Sequence, residues 1–276
     1  MKSIAKKFLC PLIALAAALV ILPASASAQT IQPRGAGTPT RVVEQIDYST
    51  RTVKMLTKIQ TGKLHEYSTL GQDTNDCVAV AGAIVLAYYD LFDKTVIPDF
   101  NTGAAYNGGY IFIGQNTKVN TLIQNLHGRM GTSEGITVTG FRNGMNSYLG
   151  QNGHSMTTSS VMVSGKVGMS LIQQKFQANQ PVVVFLSGYV FVSEGNAAVE
   201  TGRETLQVDY STTAMHAVVA YGCEQVVYDE FGSNPRTDTY LYVSFGTGEL
   251  GRIRIDSTDS LARKCNVDNA LAVSIS

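Results

Sequence analysis

Cys77 stands where a polar, turn-forming run, Gly71 to Asp76, gives way to an apolar segment that reaches Tyr89 without a charge or a proline. About 140 residues later, His216 opens a second apolar run, His216-Ala-Val-Val-Ala-Tyr-Gly222. A thiol and an imidazole are the two groups needed for nucleophilic acyl transfer, one to attack a carbonyl and the other to move the proton. At the first turn of a helix the thiol meets the positive end of the helix dipole and unpaired amide N–H groups, and both favour thiolate. Asp76 acts in the opposite sense, because an adjacent carboxylate raises a thiol pKa. The bland alternative is that Cys77 is core, the common fate of a lone cysteine in an Ala/Val-rich helix.

These residues need elements to hold them. Ala79, Ala81, Ala83, Leu86 and Ala87 favour helix, and Asn75 or Asp76 can cap its start. A helix apolar on every side must be wrapped by the rest of the domain. His216 is expected at the mouth of a buried strand. The remaining histidines, His65, His127 and His154, are expected to be solvated or structural. No CxxC or HExxH spacing offers a zinc site, no Walker-type loop occurs, and no glycine run has the setting of a dinucleotide motif. No cofactor or metal is expected.

The 276 residues are 44% hydrophobic and 15% charged, a globular composition. Lys2, Lys6 and Lys7, then Phe8 to Leu22, then Ala26-Ser27-Ala28 read as a secretory signal cleaved before Gln29. Cleavage removes three lysines and no acid, taking the formal balance from zero to −3. That charge points to neither nucleic acid nor membrane partners after signal removal, and the mature protein is expected to be secreted or periplasmic. Cys77, Cys223 and Cys265 remain. Cys223 and Cys265, both near ends of expected strands, are the plausible pair in an oxidising compartment, which leaves Cys77 as the odd thiol.

Residues 29–65 read as a lead-in segment, with weak alternation from Arg41 to His65 compatible with a strand or a short helix. Residues 66–276 read as the functional domain. Thr117 to Met130, Gly140 to Gly150 and Val167 to Ala178 have helical spacing, and Met156 to Val163 alternates as a strand. Pro181 to Leu186, Ala214 to Gly222, Tyr240 to Phe245, Gly251 to Ile255 and Ala270 to Ile275 read as strands, with a hairpin or loop over Tyr189 to Gln207. Helices first and an antiparallel sheet second predict the α+β class.

With these residues in place, the sequence resembles the papain-like cysteine peptidases, and among them the secreted bacterial branch related to the bacteriocin-processing peptidases. The resemblance rests on Asn75-Asp-Cys77-Val-Ala, Gln180-Pro-Val-Val-Val184, His216-Ala-Val-Val-Ala-Tyr-Gly222 and Tyr240-Leu-Tyr-Val-Ser-Phe-Gly246, in family order over Gly71 to Gly248. It implies a helical N-terminal lobe with a buried central nucleophile helix, an antiparallel β-sheet C-terminal lobe, and a cleft between them. It implies further a thiol hydrolase of peptide or protein substrates, with a Cys77 thioester, His216 as acid and base, and Gln72 in the oxyanion hole with Asn75 as substitute. Ser244 falls at the position that orients the histidine, with Asp229 and Asp238 as other candidates. Tyr106, Tyr110, Tyr189 and Phe191 could line an apolar pocket. The competing readings are a catalytically impaired domain that binds a peptide or protein, to which Ser244 points, and a β-rich structural or adhesion domain in which Cys77 is core.

Overall fold

In the computed structural model, the residues described are 40–59, 76–93, 95–98, 117–131, 136–194, 202–212, 215–246 and 250–276. The order is β1 (Thr40–Asp47), β2 (Thr50–Lys58), α1 (Cys77–Asp90), α2 (Thr117–Met130), α3 (Val138–Gln151), β3 (Met156–Ser160), β4 (Met162–Val163), β5 (Lys166–Val167), α4 (Met169–Gln177), β6 (Val182–Glu194), β7 (Arg203–Ser211), β8 (His216–Asp229), β9 (Arg236–Ser244), β10 (Leu250–Ser257) and β11 (Asn266–Ile275). Among the described residues no helix is long and apolar enough to cross a membrane. The expected leader, Met1 to Ala28, lies outside the described residues.

One antiparallel sheet of nine strands runs β1-β7-β6-β10-β9-β8-β2, with β11 joining β6 to β3, and β4–β5 forms a separate small hairpin. The first half of β6 also pairs with β8, Val182 opposite Ala220 through Leu186 opposite His216, so β6, β10, β9 and β8 close on one another. Among the described residues strand makes up 48% and helix 27%. This overturns the expected α+β papain-like arrangement of a helical lobe followed by a sheet lobe. The sheet begins before the first helix, and α1 and α4 pack on its strand β8.

The physical reason lies in charges that a hydropathy reading assigns to loops. Strand β8 continues past Gly222 through Glu224 to Asp229, and β9 starts at Arg236, well before the apolar Tyr240. Glu224, Arg236, Asp238, Arg252 and Arg254 are all buried. Each is paired. Asp238 accepts from Arg236 Nε at 3.0 Å, and its other oxygen lies 3.2 Å from Arg254 Nε. Arg252 donates to Glu224 at 2.7 Å. The lead-in segment is held the same way. Glu44 on β1 lies 2.9 Å from Arg254 Nη1, and Arg51 on β2 donates to Glu204 on β7 at 3.0 Å. The weakly alternating stretch Arg41 to His65 therefore supplies two sheet strands, β1 against β7 and β2 against β8.

Helix α1 owes its burial to α2 and α3 on one side and β8 on the other. Val78 through Tyr88 are all buried, as an uncharged helix requires. Its far end is fixed by polar contacts: Tyr88 donates to the Asn179 carbonyl at 3.1 Å, Tyr89 to the Val273 carbonyl at 2.8 Å, and Asp90 accepts from Ile97 N–H at 3.2 Å.

Replacing Asp238 by Asn should therefore be costly, because it removes the fully buried counter-charge that Arg236 and Arg254 share and leaves Glu44 to face both. The expected loss is about 3–5 kcal/mol, read from the urea midpoint. Burial pushes the Asp238 carboxyl up, but the Arg236 hydrogen bond and the charges of Arg254 and Arg236 outweigh it and hold the group below the usual range. A depressed folded-state pKa stabilises the fold above the unfolded value of about 3.9, and the benefit is lost as pH falls through the folded value. The gap between wild type and Asp238→Asn should thus be constant above about pH 4 and shrink below it. An equal stability at pH 7 would show that the pairing is not needed.

Candidate functional site

The start of α1 meets the start of β8. Asp76 occupies the N-cap position, and its carbonyl accepts the Val80 N–H at 2.9 Å, but its side chain makes no capping bond. Cys77 follows as the first helical residue and is partly exposed, unlike Val78 to Tyr88 after it. The backbone amides of Ala217, the residue after His216, and of Val78 and Cys77 itself lie near enough to its sulfur to favour the thiolate. The structure thus places the sulfur against the β8 residue that adjoins the histidine.

His216 is fixed by a backbone group. Its Nε2 lies 3.0 Å from the Phe245 carbonyl oxygen. A carbonyl can only accept, so the proton sits on Nε2 and the neutral ring keeps its lone pair on Nδ1. Phe245 follows β9 directly and precedes Gly246, whose φ of +68° turns the chain in a region that favours glycine. The Phe245 ring is held edge-on to Phe191, centroids 4.9 Å apart. That contact requires Gly251, since a Cβ there would lie 2.3 Å from the Phe191 ring. Tyr189 flanks the imidazole with its centroid at 6.1 Å.

Ser244 does not orient the ring. In the β8–β9 register it lies opposite Val219, three residues from His216 along a stretch paired without a bulge. Because side chains alternate across a strand, Ser244 shares a face with Val219 and Ala217 rather than with His216. It is fully buried, and among the described residues its hydroxyl has no hydrogen-bond partner. Asp238 is no substitute, for it pairs with Val226, ten residues beyond His216, and Asp229 sits at the far end of β8. Gln72, Asn75, Tyr106 and Tyr110 lie outside the described residues, as does His65.

The electrostatics differ from the sequence expectation of a ready thiolate. Burial raises the Cys77 thiol pKa, the amides of Ala217, Val78 and Cys77 oppose it, and the Asp76 charge adds to the rise; the net shift is upward. Burial likewise lowers the His216 imidazole, against a smaller opposing effect of the Phe245 carbonyl. Both groups therefore rest uncharged. The other two described thiols are also free, which corrects the expected Cys223–Cys265 pairing. Cys223 contacts Met55 Sδ at 3.8 Å, whereas Cys265 accepts from Val190 N–H at 3.0 Å. Burial pushes them up to about 11 and about 12.

One neighbour was missed by reading residue types alone. His127 on α2, expected to be solvated or structural, is hydrogen-bonded through Nδ1 to the Asp76 carboxylate beside Cys77. His154 instead contacts Thr95 Oγ1 at 2.8 Å. Among the described residues no group of His, Cys, Asp or Glu is arranged to hold a metal ion.

Ser244→Ala should be neutral or slightly stabilising, since it removes a buried hydroxyl that bonds to nothing. Thermal melting and the pH dependence of Cys77 alkylation should both match the wild type, and a displaced alkylation profile would restore Ser244 to the site. No family model, curated protein or solved structure matches the chain, so its function has to be argued from the geometry of this site.

Proposed function

We propose that the protein is a thiol hydrolase of peptide or amide bonds, with Cys77 as nucleophile and His216 as acid and base. The observation that carries this reading is the meeting of Cys77 with the start of β8, where the His216 Nε2–H is already taken by the Phe245 carbonyl. The tautomer leaves Nδ1 as the basic atom of the ring.

Because both groups rest uncharged, the thiol loses its proton to Nδ1 as the sulfur attacks, by general-base catalysis rather than from a standing ion pair. A carbon–sulfur bond forms, and the carbonyl oxygen takes the negative charge. Backbone N–H groups at the helix start are of the type that stabilises such an oxyanion, and Gln72 is proposed to join them. On collapse the carbon–nitrogen bond breaks, and the imidazolium returns its proton to the departing amine. Water then attacks the thioester, gives a proton to Nδ1, and releases the acid while the thiol is restored. The apolar wall offered by Tyr189 suits an uncharged side chain next to the scissile bond.

The binding-module reading keeps one supporting observation, the shared preference of Cys77 and His216 for their neutral forms. Turnover separates the two. A fluorogenic peptide library should be cleaved by the wild type, not by Cys77→Ala, and about 10²–10⁴-fold more slowly by His216→Ala. The rate should be bell-shaped in pH. Its acid limb should lie below the ordinary imidazole value of about 6.5, and its alkaline limb above the ordinary thiol value of about 8.5, because the site shifts the two groups apart. Peptide binding that survives Cys77→Ala, with no product from any wild-type preparation, would favour the binding module.

A further inference from the structure

The contact between His127 and Asp76 has no evident structural duty. The Asp76 side chain forgoes the N-cap bond that its position offers, and turns instead to a ring on another helix. An aspartate at this position ordinarily accepts an N–H from the first turn. The consequence falls on Cys77, whose sulfur lies one residue away and is exposed to the carboxylate charge.

The ionisable groups around this corner, among the described residues, are few. Asp76 and Cys77 belong to the start of α1, His127 to α2 and His216 to β8. The nearby cations on the packed helices are engaged elsewhere. Arg129 donates to Asn125 at 2.5 Å and to Gln151 at 2.7 Å, and Arg142 donates to Thr158 at 2.9 Å. His127 is therefore the group placed to balance Asp76.

We propose that His127 is a positioning residue for the nucleophile: its ring holds the Asp76 carboxylate away from the Cys77 sulfur and offsets its charge. The proposal rests on the role of Cys77 given above, and it adds a residue to that site. Hydrogen-bond donation from Nδ1 draws carboxylate density towards α2. A thiolate forming on Cys77 then meets a partly neutralised neighbour rather than a bare anion.

The test reads the thiol itself, independently of hydrolysis. The rate of Cys77 alkylation by iodoacetamide is followed against pH, with the labelled residue identified by mass spectrometry. Asp76→Asn removes the charge and should speed labelling at pH 7 by about three- to tenfold, a half to one unit in the midpoint. His127→Ala leaves the carboxylate unopposed and should slow labelling by a similar factor. In the double variant the His127 effect should vanish, leaving the rate of Asp76→Asn. A purely structural contact would change both single variants in the same direction, and that result overturns the proposal; a His127 effect that persists in the double variant overturns it too, because it would not act through Asp76. Should His127→Ala fail to fold, an unchanged midpoint in Asp76→Asn suffices to overturn it. Opposite shifts in labelling without peptide cleavage would sustain this inference while removing the hydrolase reading.

Discussion

The sheet depends on charges held inside it. Asp238 lies between the guanidinium groups of Arg236 and Arg254, and Glu44 reaches both arginines from β1. Beside them Arg252 contacts Glu224 and Glu204, while the Tyr240 ring lies against Arg252 and Arg254 and its hydroxyl donates to Asp238 at 2.9 Å. Such groups are expensive to desolvate and are tolerated only with their partners in place. The constraint is therefore geometric. A slip of one residue in β1, β8, β9 or β10 would turn each charge to the opposite face and strand its partner. The ionic end of the sheet thereby sets the register of the strands whose other ends bear His216 and Phe245.

Along β8 the physics changes within a few residues. Glu224 belongs to the ionic region, whereas Ala217 to Ala220 are buried beside α1 and the first half of β6. Cys77 and His216 sit at the apolar end, where desolvation outweighs the amides that favour thiolate. That is why the helix dipole, which by itself argues for an acidic thiol, does not decide the resting state. The same burial that positions Cys77 keeps it protonated.

How much of this could be read in advance followed from the range of the interactions involved. The helix beginning at Cys77, the spacing of α2, α3 and α4, and the apolar cores of β6, β8 and β9 are local patterns, and they were legible. The β-dominated architecture was not. Its extra length is written in Glu224, Arg236 and Asp238, which look like loop residues until partners from β10 and β1 bury them. The orienting role expected of Ser244 does not fit the geometry for a related reason. A residue-by-residue resemblance looks for a side chain to orient His216 and arrives at Ser244, but the acceptor is the carbonyl of Phe245. A backbone oxygen has no signature in residue type; only the alternation of β8 against β9 shows that Ser244 faces away. The Asp76–His127 contact likewise joins segments 51 residues apart through helix packing.

A carbonyl differs from a carboxylate as an orienting group in more than geometry. It fixes the tautomer equally well, but it carries no net charge to stabilise an imidazolium. On the proposed reading, His216 therefore gains little from becoming charged until a second charge develops near it. That charge arises on the sulfur and then on the carbonyl oxygen of a bound substrate, in a site from which water is largely displaced and where the attraction between opposite charges is strong. An uncharged resting pair held by backbone groups would be quiet towards solvent and small electrophiles, and would respond to a carbonyl bound in register with the helix start. Within such a site, the charge of Asp76 adds to the opposition that burial already sets against the thiolate. On the same reading, a partner on α2 that contains that charge would lower the barrier without touching the substrate.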